Sequence, residues 1–313
     1  MSKIVLATDL GGTNVRMAAV SEAGDVLFRT RSKTPETRSR EEILELIAEL
    51  ARECTNEVGP RDEIVAFGIA APAVIDHESG VILVAPNLPE LNGLAISEYL
   101  TRSVGFPVLL ENDATAAAIG EHWKGACQGV SSAICLTMGT GVGGGLIIDG
   151  KPLRGIDGTA GEVGHICVEP FGVPCTCGSN GCLEQYASAT AVVRMAEELI
   201  ASGRTSSLTE LNEYSSHDVF NAGLAGDDVA REVFASVGFY LGVALGGLIN
   251  LLNPEAIVIG GGASDGWDLF IDSVEVEIAK RAFHHPAQRV KLMRAKLGDD
   301  AGILGVAKLA FAD

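Results

Sequence analysis

The chemistry in this chain sits in a few short segments, and the most distinctive begins at His165. It is followed by Cys175, Cys177 and Cys182 in the run CTCGSNGC. One imidazole and three thiols form the donor set of a closed tetrahedral Zn²⁺ site, which leaves no open position for an activating water. Such an ion organises its loop and takes no part in a reaction. Gly178 and Gly181 let the chain wrap around it; the competing reading is a set of incidental cysteines. Glu162 and Glu184 flank the loop. Alone, each reads as a solvated glutamate. Fixed by the metal loop, they and the imidazole N–H offer hydrogen-bond partners for a polyhydroxylated ligand.

Two glycine segments carry a second kind of chemistry. Asp9-Leu10-Gly11-Gly12-Thr13-Asn14 puts a carboxylate at the end of an apolar strand and two glycines in the turn that follows. Without Cβ atoms such glycines can take φ > 0 and let a phosphate approach backbone N–H groups, with the Thr13 hydroxyl as a further donor. Asp9 is placed to hold Mg²⁺, which prefers oxygen ligands. An ordinary hairpin turn is the alternative. Gly139-Thr140-Gly141-Val142-Gly143-Gly144-Gly145 reads as a second loop of the same type. Neither segment has the lysine of GxxxxGK[ST] or the GxGxxG spacing ahead of a helix, which weakens a dinucleotide fold. Two loops on opposing hairpins can clamp the phosphates of one nucleotide, which one loop cannot.

Glu111-Asn112-Asp113 closes the strand PVLL and opens the helix ATAAAIGEHW. Asn and Asp are favoured helix caps, so a plain cap competes with a base for an attacking hydroxyl. After the strand AIVIGG, Gly261 and Gly262 either let a flat base pack on backbone or serve a close-packed strand-to-helix turn.

These groups must be positioned by regular elements. KIVLATD, VRMAAVS and VLFRTRS read as antiparallel strands joined by turns, and apolar spacing from Arg40 to Val58 predicts a helix. IVAFGIA, VILVAPN and PVLLEND supply strands. SSAICLTM, the loop GTGVGGG and LIIDG repeat the opening pattern, which implies two α/β domains facing each other across a cleft. Helices are expected over 183–199, 227–252, 267–283 and 301–311, with strands at AIVIGGG and VKLMRA. The expected division is residues 1–118 plus 300–313 for a smaller domain and 119–299 for a larger one carrying the metal loop.

Composition narrows the class. The chain has 313 residues, 47% of them hydrophobic, with 38 glycines and 7 cysteines, as in a soluble globular protein. Lys plus Arg number 23 against 41 Asp plus Glu, and a net charge of −18 repels phosphate backbones, so nucleic-acid binding is disfavoured. The opening MSKIVLATDL lacks the pattern of a secretory signal, so a cytoplasmic chain with reduced thiols is expected. Residues 233–252 are long and uncharged enough for a membrane span. Their glycines, Asn250 and the stop at Asn253-Pro254 favour a buried core helix, and no membrane association is expected.

DLGGTN, ENDATAAAIGE, GTGVGGG, GTAGEVGH, CTCGSNGCLEQYASAT and LNPEAIVIGGG occur in this order along nearly the whole chain. The combination resembles the ROK family of repressors, open reading frames and sugar kinases, and within it the zinc-containing bacterial glucokinases. The resemblance implies an actin-like, hexokinase-like (RNase H-like) fold of two α/β domains, with ATP in the cleft and the final helix returning to the first domain. By matching position, Asp113 is the general base for a sugar 6-hydroxyl, and Asn87 and Asn112 bind the same sugar. Glu162, His165 and Glu184 hold other ring hydroxyls, with His165 also on zinc. Gly11, Gly12, Thr13, Thr140 and Gly141 surround the phosphates, and Gly261 and Gly262 lie near adenosine. Thr115, Leu91 and Ala73 depart from the pattern, the last two beside the sugar loop.

The function expected is ATP-dependent phosphorylation of glucose, with Mg²⁺ near Asp9 and closure of the domains to exclude water. Mannose, fructose or an N-acetylhexosamine are alternative acceptors, and polyphosphate an alternative donor. A sugar-responsive repressor is the rival from another class; it calls for a helix-turn-helix module ahead of Asp9. The resemblance implies a homodimer or homotetramer.

Overall fold

The computed structural model describes residues 2–37, 39–59 and 62–312. Met1, Arg38, Pro60, Arg61 and Asp313, which fall in the expected first domain, lie outside the described residues. Packing divides the chain into two units: Met1–Gly129 with Gly145–Gly161 and Leu297–Asp313, and Val130–Gly144 with Glu162–Lys296.

The first unit opens with β1 (Ser2–Leu10), β2 (Asn14–Ser21) and β3 (Val26–Lys33), then α1 (Arg40–Glu57), as the strand-and-turn pattern and the helical spacing predict. Ser39 caps α1 by accepting the Glu42 N–H, and the helix buries Ile43, Leu44, Ile47, Leu50 and Ala51. There follow β4 (Asp62–Ala71), the short pair β5 (Val74–Asp76) and β6 (Val81–Val84), α2 (Ile96–Val104), β7 (Val108–Asn112) and α3 (Asp113–Trp123). Sheet order is β3-β2-β1-β4-β7.

Register is what matters for function here. β1, β4 and β7 run parallel, with Asp9 opposite Ala70 and Ala70 opposite Glu111. The ends of β1 and β7 therefore leave the same edge of the sheet, two strand spacings or about 10 Å apart. The turn at Gly11 and the Asn112-Asp113 corner share that edge because of it.

The chain continues with β8 (Ala133–Met138), β9 (Val142–Ile148), β10 (Lys151–Pro152), α4 (Glu184–Ala187), α5 (Ala189–Ala201), α6 (Ser216–Ala225), α7 (Asp228–Leu252), β11 (Ala256–Gly260), α8 (Trp267–Arg281), α9 (His284–Arg289), β12 (Lys291–Arg294) and α10 (Ala301–Ala310). The second sheet has the order β10-β9-β8-β11-β12, with β8, β11 and β12 parallel. α10 belongs with the first unit and packs on α3, where Gly120 and Gly305 each lie against backbone of the other helix with no room for a Cβ.

Three sequence expectations change. The run GTGVGGG is loop only over Gly139–Gly141; Val142 to Gly145 belong to β9. A Cβ on Gly145 would stand 2.5 Å from that of Ala118, so this glycine serves the approach of α3 and not a ligand. The helix expected over 183–199 is broken into α4 and α5 at Ser188, whose side chain caps α5. α2, α6 and α9 were not anticipated.

The apolar helix α7 explains its own glycines. Gly238, Gly242 and Gly246 recur every fourth residue and lie against Phe270, Glu277 and Arg281 of α8, so the stripe is a helix–helix contact. By length and composition alone α7 could cross a membrane; half of its most apolar window is buried within the fold.

Asp227 starts α7. Burial alone raises its carboxyl, but N–H groups of Ala230 and Ser207 and the hydroxyls of Ser206 and Ser207 outweigh that and bring it down to about 2. A pKa depressed in the folded state gives stability that is complete above about pH 4 and is lost as pH falls toward 2. Asp227→Ala is expected to lose about 1–2 kcal/mol at pH 7 in urea unfolding, with the gap to wild type closing over that acidic range.

Candidate active site

In the first unit, Asp9 follows the buried run Ile4–Thr8 near the end of β1 and lies opposite Arg16 in the β1–β2 register, and the guanidinium reaches its Oδ2 at 3.2 Å. Arg16 also reaches Asp299 at 3.0 Å. Burial pushes the Asp9 carboxyl above its ordinary value, and Arg16 offsets only part of the shift. A desolvated carboxylate with incomplete compensation suits a cation arriving with a ligand.

The turn after β1 is closed by the Gly11 N–H donating to the Asn14 carbonyl (2.9 Å), while Thr34 holds the Gly11 and Thr13 carbonyls. Neither Gly11 nor Gly12 uses the positive φ that a glycine turn allows. Gly11 is instead required by closeness, since its Cβ would be 2.9 Å from the Asn14 oxygen. Asn87 lies against Gly12, its Cβ 3.5 Å from where a side chain there would begin. The loop carrying Asn87 and the glycine turn thus meet.

At the β7–α3 corner, Asn112 is the N-cap: its Oδ1 accepts the Thr115 N–H (3.0 Å) and its Nδ2 donates to Ala73 (3.3 Å). The cap reading of this residue holds, and it fixes the corner from which the half-buried Asp113 projects. One oxygen of Asp113 accepts the Ala114 N–H at 2.8 Å.

Behind this corner is a group the sequence reading did not pick out. Glu111 is 1% exposed, yet its Oε2 takes Arg154 Nε at 2.8 Å and Nη2 at 2.6 Å. Its Oε1 accepts the Asn112 N–H at 3.0 Å and lies 3.5 Å from His77 Nε2. Sequence spacing gives no sign of this pairing, because Arg154 comes from a separate loop after β10. Arg16 left a better trace: it and Asp9 sit symmetrically about a hairpin turn.

In the second unit, Thr137 at the end of β8 lies opposite Gly260 at the end of β11, one strand spacing away. The Gly139–Gly141 loop and Gly261 leave this edge together. Gly261 has φ +84°, and a Cβ there would stand 2.5 Å from the Met138 carbonyl oxygen, so only glycine fits.

The Cys₃His group also assembles. The ligand atoms of His165, Cys175, Cys177 and Cys182 all lie within 4.8 Å of one another. Cys177 and Cys182 sulfurs are 3.6 Å apart, and Cys175 Sγ is 3.7 Å from His165 Nδ1. Tetrahedral zinc with bonds near 2.3 Å has edges of about 3.8 Å, so the donors fit. Gly178 and Gly181 both take positive φ, as wrapping requires. His165 turns Nδ1 to the thiols and Nε2 toward Glu162 Oε2 at 3.9 Å, while Glu184 Oε1 accepts from Cys175 at 3.2 Å.

The ROK family pattern matches residues 5–312. The glucokinase of Halalkalibacterium halodurans is 36% identical over 308 residues, covering 96% of this chain and 92% of that protein. A ROK glucokinase from Streptomyces griseus, solved with glucose and AMPPNP, superposes with TM-score 0.83 at 34% identity over 99% of this chain and all of that one (100%). A ROK transcriptional regulator homologous to the E. coli MLC protein superposes with TM-score 0.91 at 30% identity, over 99% of this chain and 78% of that one. The chain belongs to the ROK family. The α/β, two-domain actin-like class expected from the sequence is the fold it has.

Three outcomes test this geometry. Arg154→Ala leaves Glu111 buried without its cation and is expected to lower stability by about 2–3 kcal/mol in urea unfolding, a figure reduced from fully buried pairs because Arg154 is partly exposed. Burial and its neighbouring thiols push Cys182 up to about 12. A metal ion binding there would release protons, and in a zinc titration against a chelator the affinity is expected to fall steadily as pH is lowered from 8 to 6. Cys182→Ser is expected to abolish stoichiometric uptake.

Proposed function

We propose that this protein is an ATP-dependent hexose kinase that phosphorylates glucose at its 6-hydroxyl. The observation that carries the reading is the parallel register that sets Asp9 and the Asp113 corner on one sheet edge about 10 Å apart, the span a phosphoryl donor and its acceptor must bridge. Phosphoryl transfer asks for positioning and charge stabilisation, and little else.

Each residue then has a task. Asp113 takes the proton from the attacking oxygen, because it is the carboxylate presented at the strand end by a capped corner. Asn112 and Asn87 orient the sugar from the same unit. Gly11, Gly12 and Thr13 in the first unit and Thr140 and Gly141 in the second surround the phosphates, with Gly261 and Gly262 beside the adenosine. Asp9, raised by burial, gains from Mg²⁺ that accompanies the nucleotide. Glu162, His165 and Glu184 supply further sugar contacts, and zinc on His165 and the three cysteines holds the loop that carries them.

The glucokinase relatives support glucose as acceptor. Mannose, fructose or an N-acetylhexosamine in its place would show in kcat/KM, and polyphosphate as donor in a direct assay.

Asp113→Ala is expected to keep glucose affinity within about threefold while kcat falls by a factor on the order of 10² to 10⁴, the usual worth of a general base. Isothermal titration and a coupled assay read the two. Near-normal kcat in the variant removes Asp113 from the role.

A further inference from the structure

The glycine loop of the second unit is bolted to the metal loop. The Gly139 carbonyl accepts the Ala189 N–H at 2.8 Å, and the Thr140 carbonyl accepts the Thr190 hydroxyl at 3.0 Å. Ala189 and Thr190 are the first residues of α5, which follows α4 and, through it, the ligand Cys182. Two further contacts join the same parts. Glu184 Oε2 lies 2.8 Å from where a Cβ on Gly141 would be, and Gly164, beside the ligand His165, has no room for a side chain against the Val142 carbonyl.

Peptide planarity turns this bolting into an aiming device. In a trans peptide the carbonyl and the following N–H point in opposite directions. With the Gly139 oxygen drawn to Ala189, the Thr140 N–H faces away from α5; with the Thr140 oxygen drawn to Thr190, so does the Gly141 N–H. Two successive amides aimed the same way form the concavity that binds a phosphate oxygen. The Ala189 N–H, one of the donors a helix leaves unpaired at its start, is satisfied in the same exchange.

We propose that Thr190 is a positioning residue for the nucleotide phosphates, and that metal occupancy of the Cys₃His cluster sets nucleotide affinity through α4, α5 and this hydroxyl. The inference rests on the kinase reading above and adds to it. Zinc then serves both substrates: the sugar through Glu162 and Glu184, the triphosphate through Thr190.

The test measures binding of Mg²⁺·AMPPNP and of glucose separately, by titration of the full chain. Thr190→Val, which keeps the shape and removes the donor, is expected to weaken AMPPNP about three- to tenfold, the worth of one neutral hydrogen bond. Its glucose affinity and thermal midpoint should stay at wild-type values, which a merely structural role would not allow. Thr190→Ser restores the hydroxyl and is expected to recover most of the loss. Metal-stripped protein should bind both ligands more weakly, and added zinc should restore both. Equal AMPPNP affinity in wild type, Thr190→Val and metal-free chain overturns the coupling while leaving the kinase reading intact. Zinc-loaded wild type that binds no AMPPNP overturns both.

Discussion

Parallel pairing of β1, β4 and β7 is the constraint on which the first unit's chemistry rests. A parallel register brings the carboxyl ends of strands to one edge, and there the backbone leaves the sheet with its amides unpaired by any ladder. Asp9 precedes the glycine turn on one side of β4, and Asn112-Asp113 stand on the other. A slip of one residue between β4 and β7 would turn Leu110 out of its cluster to the opposite face of the sheet and shift the Asn112-Asp113 corner along the edge. The hydrophobic core forbids it, since Leu6, Ile69 and Leu110 all join one buried cluster. Packing energy far from any ligand thus fixes where the carboxylates emerge.

Buried charge plays the supporting part. Glu111 occupies the row of the sheet next to the corner, and placing a carboxylate there requires Arg154 and the Asn112 amide as partners. This arrangement gives up stability that an apolar side chain would supply. What it provides is a rigid link between the strand that presents Asp113 and the loop at 154–161 that leads toward Glu162. In the second unit the corresponding work falls to the Cys₃His cluster and to α5, because the segment from Glu162 to Leu183 contains little regular structure to hold it.

Much of this was legible in the chain. Apolar runs ended by glycine or by END gave β1, β7 and β11 and their terminal residues, because a strand buried on both faces must be apolar along its length and then stop. The Cys₃His set was legible because its ligands lie close in sequence and its glycines have a local purpose. Long-range partners were not. Arg154 pairs with a residue in another element, and no spacing rule connects them. The glycine run at 139–145 misled in part because glycine answers two needs: Gly141 sits tight against Glu184, whereas Gly145 admits α3. The break at Ser188 was hidden since both flanking stretches are helical in propensity, and only a serine cap separates them.

The proposed phosphoryl transfer requires a hexose oxygen deprotonated by Asp113 while both glycine loops hold one triphosphate. A crystal structure of the chain with glucose, Mg²⁺ and AMPPNP measures this most directly. The account predicts the glucose 6-oxygen within hydrogen-bond distance of an Asp113 carboxylate oxygen, with phosphate oxygens on amides of residues 12–13 and 140–141. A sugar seated with its 6-oxygen on another group, or a triphosphate away from those amides, would contradict it.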